Sequence, residues 1–344
     1  MNPCRVARTI VLAICVTASV CKADAPAPPA GEWISISDSV LADLEKDRPK
    51  SNDKYTTMTA GISVDRTNGD VYMLANNIGI CKSTDQGKTF TLISGKSVSG
   101  RFETGWGLNI DPGGGRLMCF TIYGSSAYSA DAGKTWTPSK TSHLDYGAVD
   151  WSDTGKALLA LGHESGGKLL YSTDAGQQWK TLGTGYSAAG LIDAKTLMSF
   201  SKTEGLVRST DGGQTWANAS DQKLAAPVMV LFKDVGYWLG ENGLLISKDK
   251  GATWSVAAAL PKGAALGPMF GADESQMIVA CPDGLYESKD AGKTWTLAAP
   301  PAPQIKVMKY GQWATYGWDP IRNIFYASQM MKPAYKFVEK GAER

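Results

Sequence analysis

Apolar and polar positions alternate along the chain in short runs, and turn-forming residues separate the runs. Met58–Asp65 and Asp70–Ala75 make the first pair, with Thr67-Asn68-Gly69 between them. Trp106–Asp111 and Arg116–Tyr123 follow, split by Pro112-Gly113-Gly114-Gly115. Alternation of period two, bounded by Gly, Pro, Asn and Asp, predicts half-buried β-strands joined by tight turns. The same pairing recurs as Gly147–Trp151 with Ala157–Gly162, Ala188–Ile192 with Thr196–Ser201, Pro227–Phe232 with Gly236–Gly240, and Gly267–Gly271 with Gln276–Cys281. Ser39–Asp47 reads as a short helix inserted before the first of them.

Each of the six pairs leads into one recurring octapeptide. The first copy is Ser83-Thr84-Asp85-Gln86-Gly87-Lys88-Thr89-Phe90, and the others are Ser129–Trp136, Ser172–Trp179, Ser209–Trp216, Ser247–Trp254 and Ser288–Trp295. Their aspartates are 46, 43, 37, 38 and 41 residues apart, close to the length of a four-stranded propeller blade. The aspartate side chain accepts backbone amides ahead of it and holds a tight turn, and the glycine tolerates positive φ. Ser and Thr add hydroxyl partners, and the final aromatic leaves the turn for the core.

This octapeptide resembles the Asp-box, or sialidase-type (BNR), repeat, and the resemblance covers about Thr57 to Trp295. It implies a β-propeller in which the turn joins the third and fourth strands of a blade, on the side away from the active site. Sialidases, xyloglucanases, sortilin-type receptors and photosystem assembly factors all carry it, so it marks fold and leaves chemistry open. A seventh set of strands lacks the box: Trp313–Asp319, Asn323–Ser328 and Ala334–Glu339. Glu32-Trp33-Ile34-Ser35-Ile36 resembles the outermost strand after a box, as in Thr294-Trp295-Thr296-Leu297, and is expected to complete that blade and close the ring. The expected fold class is therefore all-β, a single seven-bladed propeller over residues 32–344. Six blades plus caps is the alternative.

Residues 1–23 read as a secretory signal, with Arg5 and Arg8 before an apolar stretch from Thr9 to Cys21 and cleavage after Ala23. Lys22 interrupts the apolar stretch too early for membrane insertion, and Ala18-Ser19-Val20 is a poor approach to a lipid-modified Cys21. Residues 24–31 form a proline-bearing linker. A secreted or periplasmic location follows. The whole chain has 344 residues and a net charge of +2, so no basic field exists to gather nucleic acid. After cleavage Cys81, Cys119 and Cys281 remain, inside apolar strand patterns that favour buried free thiols; Cys81–Cys119 is the pairing to check. No cofactor motif is present, and a monomer is expected.

In a propeller the connection into each inner strand and the turn between strands two and three open on one face. That topology gathers Arg48, Lys54, Tyr55, Arg101, Glu103, Trp106, His143, Asp145, Tyr146, Lys306, Lys309, Tyr310, Gln312, Trp313 and Tyr316 from the connections. It adds Asn76, Asn77, Tyr123, His163, Glu164, Lys202, Glu204, Glu241, Asn242, Asp283 and Gln329 from the turns. The chain's two histidines, His143 and His163, both fall on this face at the third blade. They read either as solvated loop residues or as a proton-transfer group oriented by Asp145 or Glu164; a metal site with a carboxylate is a third option, though no spacing sets its geometry. Glu103, Glu164, Glu204, Glu241 and Asp283 form a carboxylate arc, which is either solvated rim charge or the source of an acid/base pair about 5–10 Å apart for glycoside cleavage. Trp106, Tyr146, Tyr310, Trp313, Tyr316 and Trp318 offer flat faces to sugar rings, or packing for the central channel.

The sialidase resemblance implies an arginine triad and an Arg-Ile-Pro signature, and the signature is absent here. Arg66, Arg116 and Arg208 fall away from the expected mouth, so sialidase activity is not expected. Xyloglucanases of this fold pair two propellers, and the photosystem assembly factor uses an arginine-rich patch not found here. By analogy with propeller polysaccharide lyases, His143 or His163 would be the base, Tyr146 the acid, and Arg101 or Lys309 the charge neutraliser. The expected function is carbohydrate binding on the top face, with Arg101, Trp106, Lys309, Tyr310, Trp313, Tyr316, Asn76 and Glu241 as binding residues. If the chain is an enzyme, His143, Tyr146, His163, Glu164 and Glu103 are its expected catalytic residues for glycoside hydrolysis or β-elimination. A non-catalytic scaffold or receptor for a protein partner is the alternative.

Overall fold

The computed structural model describes residues 29–46, 58–95, 97–98, 100–102, 105–141, 143–152, 156–311 and 313–340. Seven four-stranded antiparallel sheets make up the ring. The innermost strands, in chain order from blade 1 to blade 7, are Thr59–Val64, Leu108–Ile110, Leu144–Val149, Gly190–Leu191, Val230–Phe232, Leu266–Phe270 and Ala314–Asp319. Neighbouring inner strands touch in succession, and the last touches the first. Seven blades, not six with caps, is the result. One helix, Asp38–Lys46, lies between the closing strand and blade 1, and a two-residue ribbon pairs Gly100–Arg101 with Tyr123–Gly124.

Gly31–Ser35 supplies the outermost strand of blade 7, antiparallel to Tyr335–Glu339 with Trp33 opposite Phe337. The first described strand is thereby zipped to the last, and the sheet edge that an open ring would expose is covered. The expected signal and linker lie mostly outside the described residues. Cys81, Cys119 and Cys281 are free and buried, so the Cys81–Cys119 pairing is not formed.

The six repeated turns share one hydrogen-bond scheme, except that blade 3 has Gln178 in place of the threonine and lacks the hydroxyl bond. In blade 4, Ser209 Oγ donates to Asp211 Oδ1 at 2.8 Å and accepts the Gly213 N–H at 2.8 Å. Thr215 N–H and Oγ1–H then close on the same carboxylate, at 2.9 and 2.6 Å. The residue after each aspartate and the glycine after it both take positive φ, as at Ala132 (59°) and Gly133 (85°). Those glycines also press on the preceding blade: a Cβ at Gly133 would stand 2.3 Å from Ile93 Cδ1, and one at Gly213 would stand 2.5 Å from Leu182 Cδ1. In blade 1 the surface pressed is Ile36, just past the closing strand, 3.0 Å from a Cβ built on Gly87.

Three of the closing aromatics, Trp136, Trp179 and Trp295, add a polar link between blades. Trp136 Nε1–H donates to Ile93 O at 3.2 Å and Trp295 Nε1–H to Ala259 O at 2.9 Å, each the residue just past the previous blade's outer strand. Blade 7 has no box, yet Trp33 Nε1–H donates to Pro300 O at 2.9 Å, at the equivalent place.

Ser209 is 1% exposed, so Ser209→Ala strands a buried amide at Gly213 and should lower stability by about 1–2 kcal/mol in a denaturant titration. The box carboxylates also predict an acid response. Hydrogen bonds from Thr253 bring Asp249 down to about 2, and those from Thr294 bring Asp290 down to about 2. An unfolded aspartate titrates near 3.9, so this stabilisation is complete above about pH 4 and is lost as pH falls towards 2. The thermal midpoint should fall across that window, and less steeply in a variant carrying Asp249→Asn and Asp290→Asn.

Candidate functional site

The turns between strands two and three, opposite the boxes, surround a cleft of about 780 Å³. Of the residues expected there, Trp106, Asp145, Tyr146, His163, Glu164, Lys202, Glu241, Tyr310 and Trp313 all line it. Blades 2, 3, 4, 5 and 7 and their connections contribute, so residues more than 200 positions apart in sequence share one wall.

Backbone bonds between blades 2 and 3 place the histidines. His143 N–H donates to Ile122 O at 2.9 Å, and His163 N–H donates to His143 O at 2.8 Å. The two imidazoles stack with centroids 5.8 Å apart and planes 12° from parallel. His163 Nδ1 lies 2.8 Å from Asp145 Oδ1, while its Nε2 is 3.8 Å from Glu164 Oε1. Asp145 is therefore the orienting partner of the two candidates: it favours the tautomer that carries its proton on Nδ1 and leaves Nε2 without a hydrogen bond. His143 stands behind this dyad, exposed and edge-on to Tyr123 at 4.8 Å. Arg101 in turn covers the Tyr123 ring at 4.6 Å, so it stacks outside the cleft.

Tyr146 lines the cleft, but its hydroxyl donates to Ser187 O at 3.1 Å and burial pushes its pKa well up. That commitment works against a role as proton donor. Across the cleft stand Tyr310 and Trp313, exposed by 40% and 45%, with Trp106 between them and blade 3. Lys309 Nζ is 3.2 Å from Glu241 Oε1 and 5.0 Å from the Tyr310 ring centre. Four residues here hold positive φ without being glycine: His143 (66°), Glu164 (47°), Tyr310 (62°) and Trp313 (64°). Each such conformation costs about 1–2 kcal/mol, and clusters of them accompany binding sites.

Several expected residues lie elsewhere. Asn76 is fully buried, with its Oδ1 accepting the Phe102 N–H at 2.9 Å, so it braces a loop. Tyr316 faces the central channel, its pKa pushed up to about 12 by burial, and meets Trp33 edge-on. Trp318 is 4% exposed within the core. Gln329 is buried and accepts the Lys306 N–H at 2.8 Å, while Asp283 accepts the Tyr286 hydroxyl on blade 6 at 2.8 Å. Glu204 and Asn242 are exposed and lie off the cleft wall. Arg48, Lys54, Tyr55, Glu103 and Gln312 fall outside the described residues. Among the described residues no three His, Cys, Asp or Glu side chains converge as metal ligands.

Ser187, Phe200, Lys223, Leu224, Ala226 and Pro227 line the cleft without having been expected there. Ser187 and Lys223 sit in the connections entering blades 4 and 5, which the blade-to-blade topology could have included. A second basin of about 500 Å³ lies beside the first, between blades 5 and 6, with Leu260, Pro261, Pro282 and Met308 in its walls and Glu241 shared.

No protein-family model and no sequence among the curated proteins matches the chain. Solved structures do. YCF48 bound to D1 peptide is 15% identical, covering 91% of this chain and 100% of that one, with a TM-score of 0.50. YCF48 from Cyanidioschyzon merolae is 11% identical over 89% and 98%, with a TM-score of 0.51. The GH74 xyloglucanase from Xanthomonas campestris is 17% identical over 80% of this chain and 57% of its own, with a TM-score of 0.42. At such identities the likeness to the two YCF48 structures is one of architecture, and the chain is a seven-bladed β-propeller of the same general build.

Proposed function

We propose that the loop-face cleft binds a carbohydrate chain and that His163, oriented by Asp145, is its proton-transfer group. The observation that carries this reading is the pairing of that dyad, on one wall, with the aromatic faces of Trp106, Tyr310 and Trp313 on the others. Sugar rings present an apolar face to such side chains and hydroxyls to the polar groups beside them. An imidazole with one nitrogen held by a carboxylate is suited to take a proton from a hydroxyl or an acidic C–H. Export through the amino-terminal signal belongs to the same proposal and would deliver the protein to extracellular or envelope glycans. Mass spectrometry of the protein from a secreting host should find a chain beginning at Asp24.

A peptide ligand is the second reading. It is favoured by the neighbouring basin, whose Leu, Pro and Met walls suit side chains better than sugars, and by the similar architecture of YCF48 bound to D1 peptide. Titration calorimetry against neutral and uronate-containing oligosaccharides and against extended peptides separates the two. Under the carbohydrate reading, Trp313→Ala weakens glycan binding about tenfold, on the order of 1.4 kcal/mol. His163→Ala abolishes any glycan cleavage while leaving binding within about threefold. Binding of peptides alone, or glycan binding indifferent to Trp313→Ala, would refute it.

A further inference from the structure

The inner strands enclose a further cavity, along the axis of the ring, with a volume of about 290 Å³ and lining residues from all seven blades. Val64, Ile110, Val230, Leu231 and Met269 line it and are only half-buried, although they sit at the centre of the molecule. The apolar surface they leave open therefore faces this channel.

The charged and amide groups of the wall are already engaged. Asn109 Nδ2–H donates to Trp106 O at 3.2 Å, and Asp111 Oδ2 accepts from Arg116 Nε at 2.6 Å. Arg66 donates through Nε to Phe270 O at 3.4 Å and through Nη2 to Gly271 O. Trp106 Nε1–H is buried without a partner, but Val64, Ile110, Val230, Leu231 and Met269 line the channel together, and an alkyl group would gain contact with them.

The two ends differ. Trp106 lines both the channel and the loop-face cleft and so divides one from the other. At the opposite end, beside the turn that follows the first inner strand, Arg66 lies over the Phe232 ring at 5.0 Å, and Phe232 stacks on Phe270 at 4.4 Å. Among the described residues this guanidinium has no carboxylate within 4 Å; Asp65, its neighbour in sequence, spends Oδ1 on the Thr67 N–H and hydroxyl, keeps Oδ2 buried without a hydrogen bond, and acts on Arg66 only through its charge.

We propose that the axial channel binds one alkyl chain of a small anionic amphiphile, with the chain against Val64, Ile110, Val230 and Met269 and the acid head at Arg66. At about 30 Å³ for each water-sized group, the volume admits roughly ten of them, which sets the chain length. The site is separate from the loop-face cleft, and its test does not depend on what that cleft binds.

Decanoate, kept below its critical micelle concentration, is the probe. Its binding is read by tryptophan fluorescence, since Trp106, Trp151 and Trp318 line the channel. Saturable one-to-one binding is expected. Val230→Trp, which fills the channel, should weaken it at least about tenfold, Arg66→Gln should weaken it about fivefold, and His163→Ala should leave it unchanged. Decyltrimethylammonium should not compete. If Val230→Trp fails to fold by thermal melt, Met269→Trp takes its place. No saturable binding, or binding undiminished by the channel-filling variant, overturns the proposal; decanol binding as tightly as decanoate overturns the role of Arg66.

Discussion

Each of the six blades that carry the repeated turn is locked to the one before it by a glycine that has no room for a side chain and, in several blades, by an indole N–H that reaches a neighbouring carbonyl. A four-stranded sheet of this size cannot bury both its faces alone, so the packing between blades is where most of the apolar surface leaves water. The repeated turn makes that packing reproducible. Its serine and aspartate hold two successive residues at positive φ, and this brings the glycine Cα close against Ile93, Leu182 or Ile36 of the preceding blade. Trp33 performs the indole half of the contact where no box exists, between the closing strand and Pro300. Ring closure thus depends on the same chemistry at the seam as at Trp136 and Trp295.

Closure has a functional consequence because it brings the loop ends of distant blades together. Asp145 and His163 are neighbours through strand pairing within blade 3 and through the bonds that tie blade 3 to blade 2. Tyr310 and Trp313 reach the same cleft only because blade 7 is drawn back beside the early blades. The left-handed backbone at His143, Glu164, Tyr310 and Trp313 shows where the ring's rigidity is used to hold side chains in conformations a free loop would avoid. Trp106 occupies a junction, lining both the loop-face cleft and the axial channel.

The strands and turns were legible because their signals are local. Alternation marked each strand to within a few residues, and six copies of one octapeptide set the blade period. The likeness of Glu32–Ile36 to the strand after a box identified the closing segment. Site placement followed from topology alone for Trp106, His163, Glu164, Glu241, Tyr310 and Trp313. It was less informative for Asn76, whose amide turned out to brace Phe102, and for Tyr316, which points along the axis. Topology places a residue at an end of the ring, but rotation about its side-chain bonds and the packing of neighbouring loops decide whether it faces cleft, core or channel. Lys223 escaped notice for a related reason, since its connection carries no aromatic or histidine to draw attention, and Ser187 is a small residue beside Tyr186.

The amino-acid sequence by itself determined the all-β class, the blade repeat, the turn chemistry and which strand closes the ring, because hydrogen-bonded turns and period-two patterning act over a few residues. Only the tertiary structure decided that Asp145 rather than Glu164 holds His163, that Tyr146 gives its hydroxyl to Ser187, and that an axial channel lined from all seven blades ends at Arg66. Those outcomes turn on differences of about an ångström between groups brought together from separate strands, loops and blades, and no local pattern encodes distances of that kind.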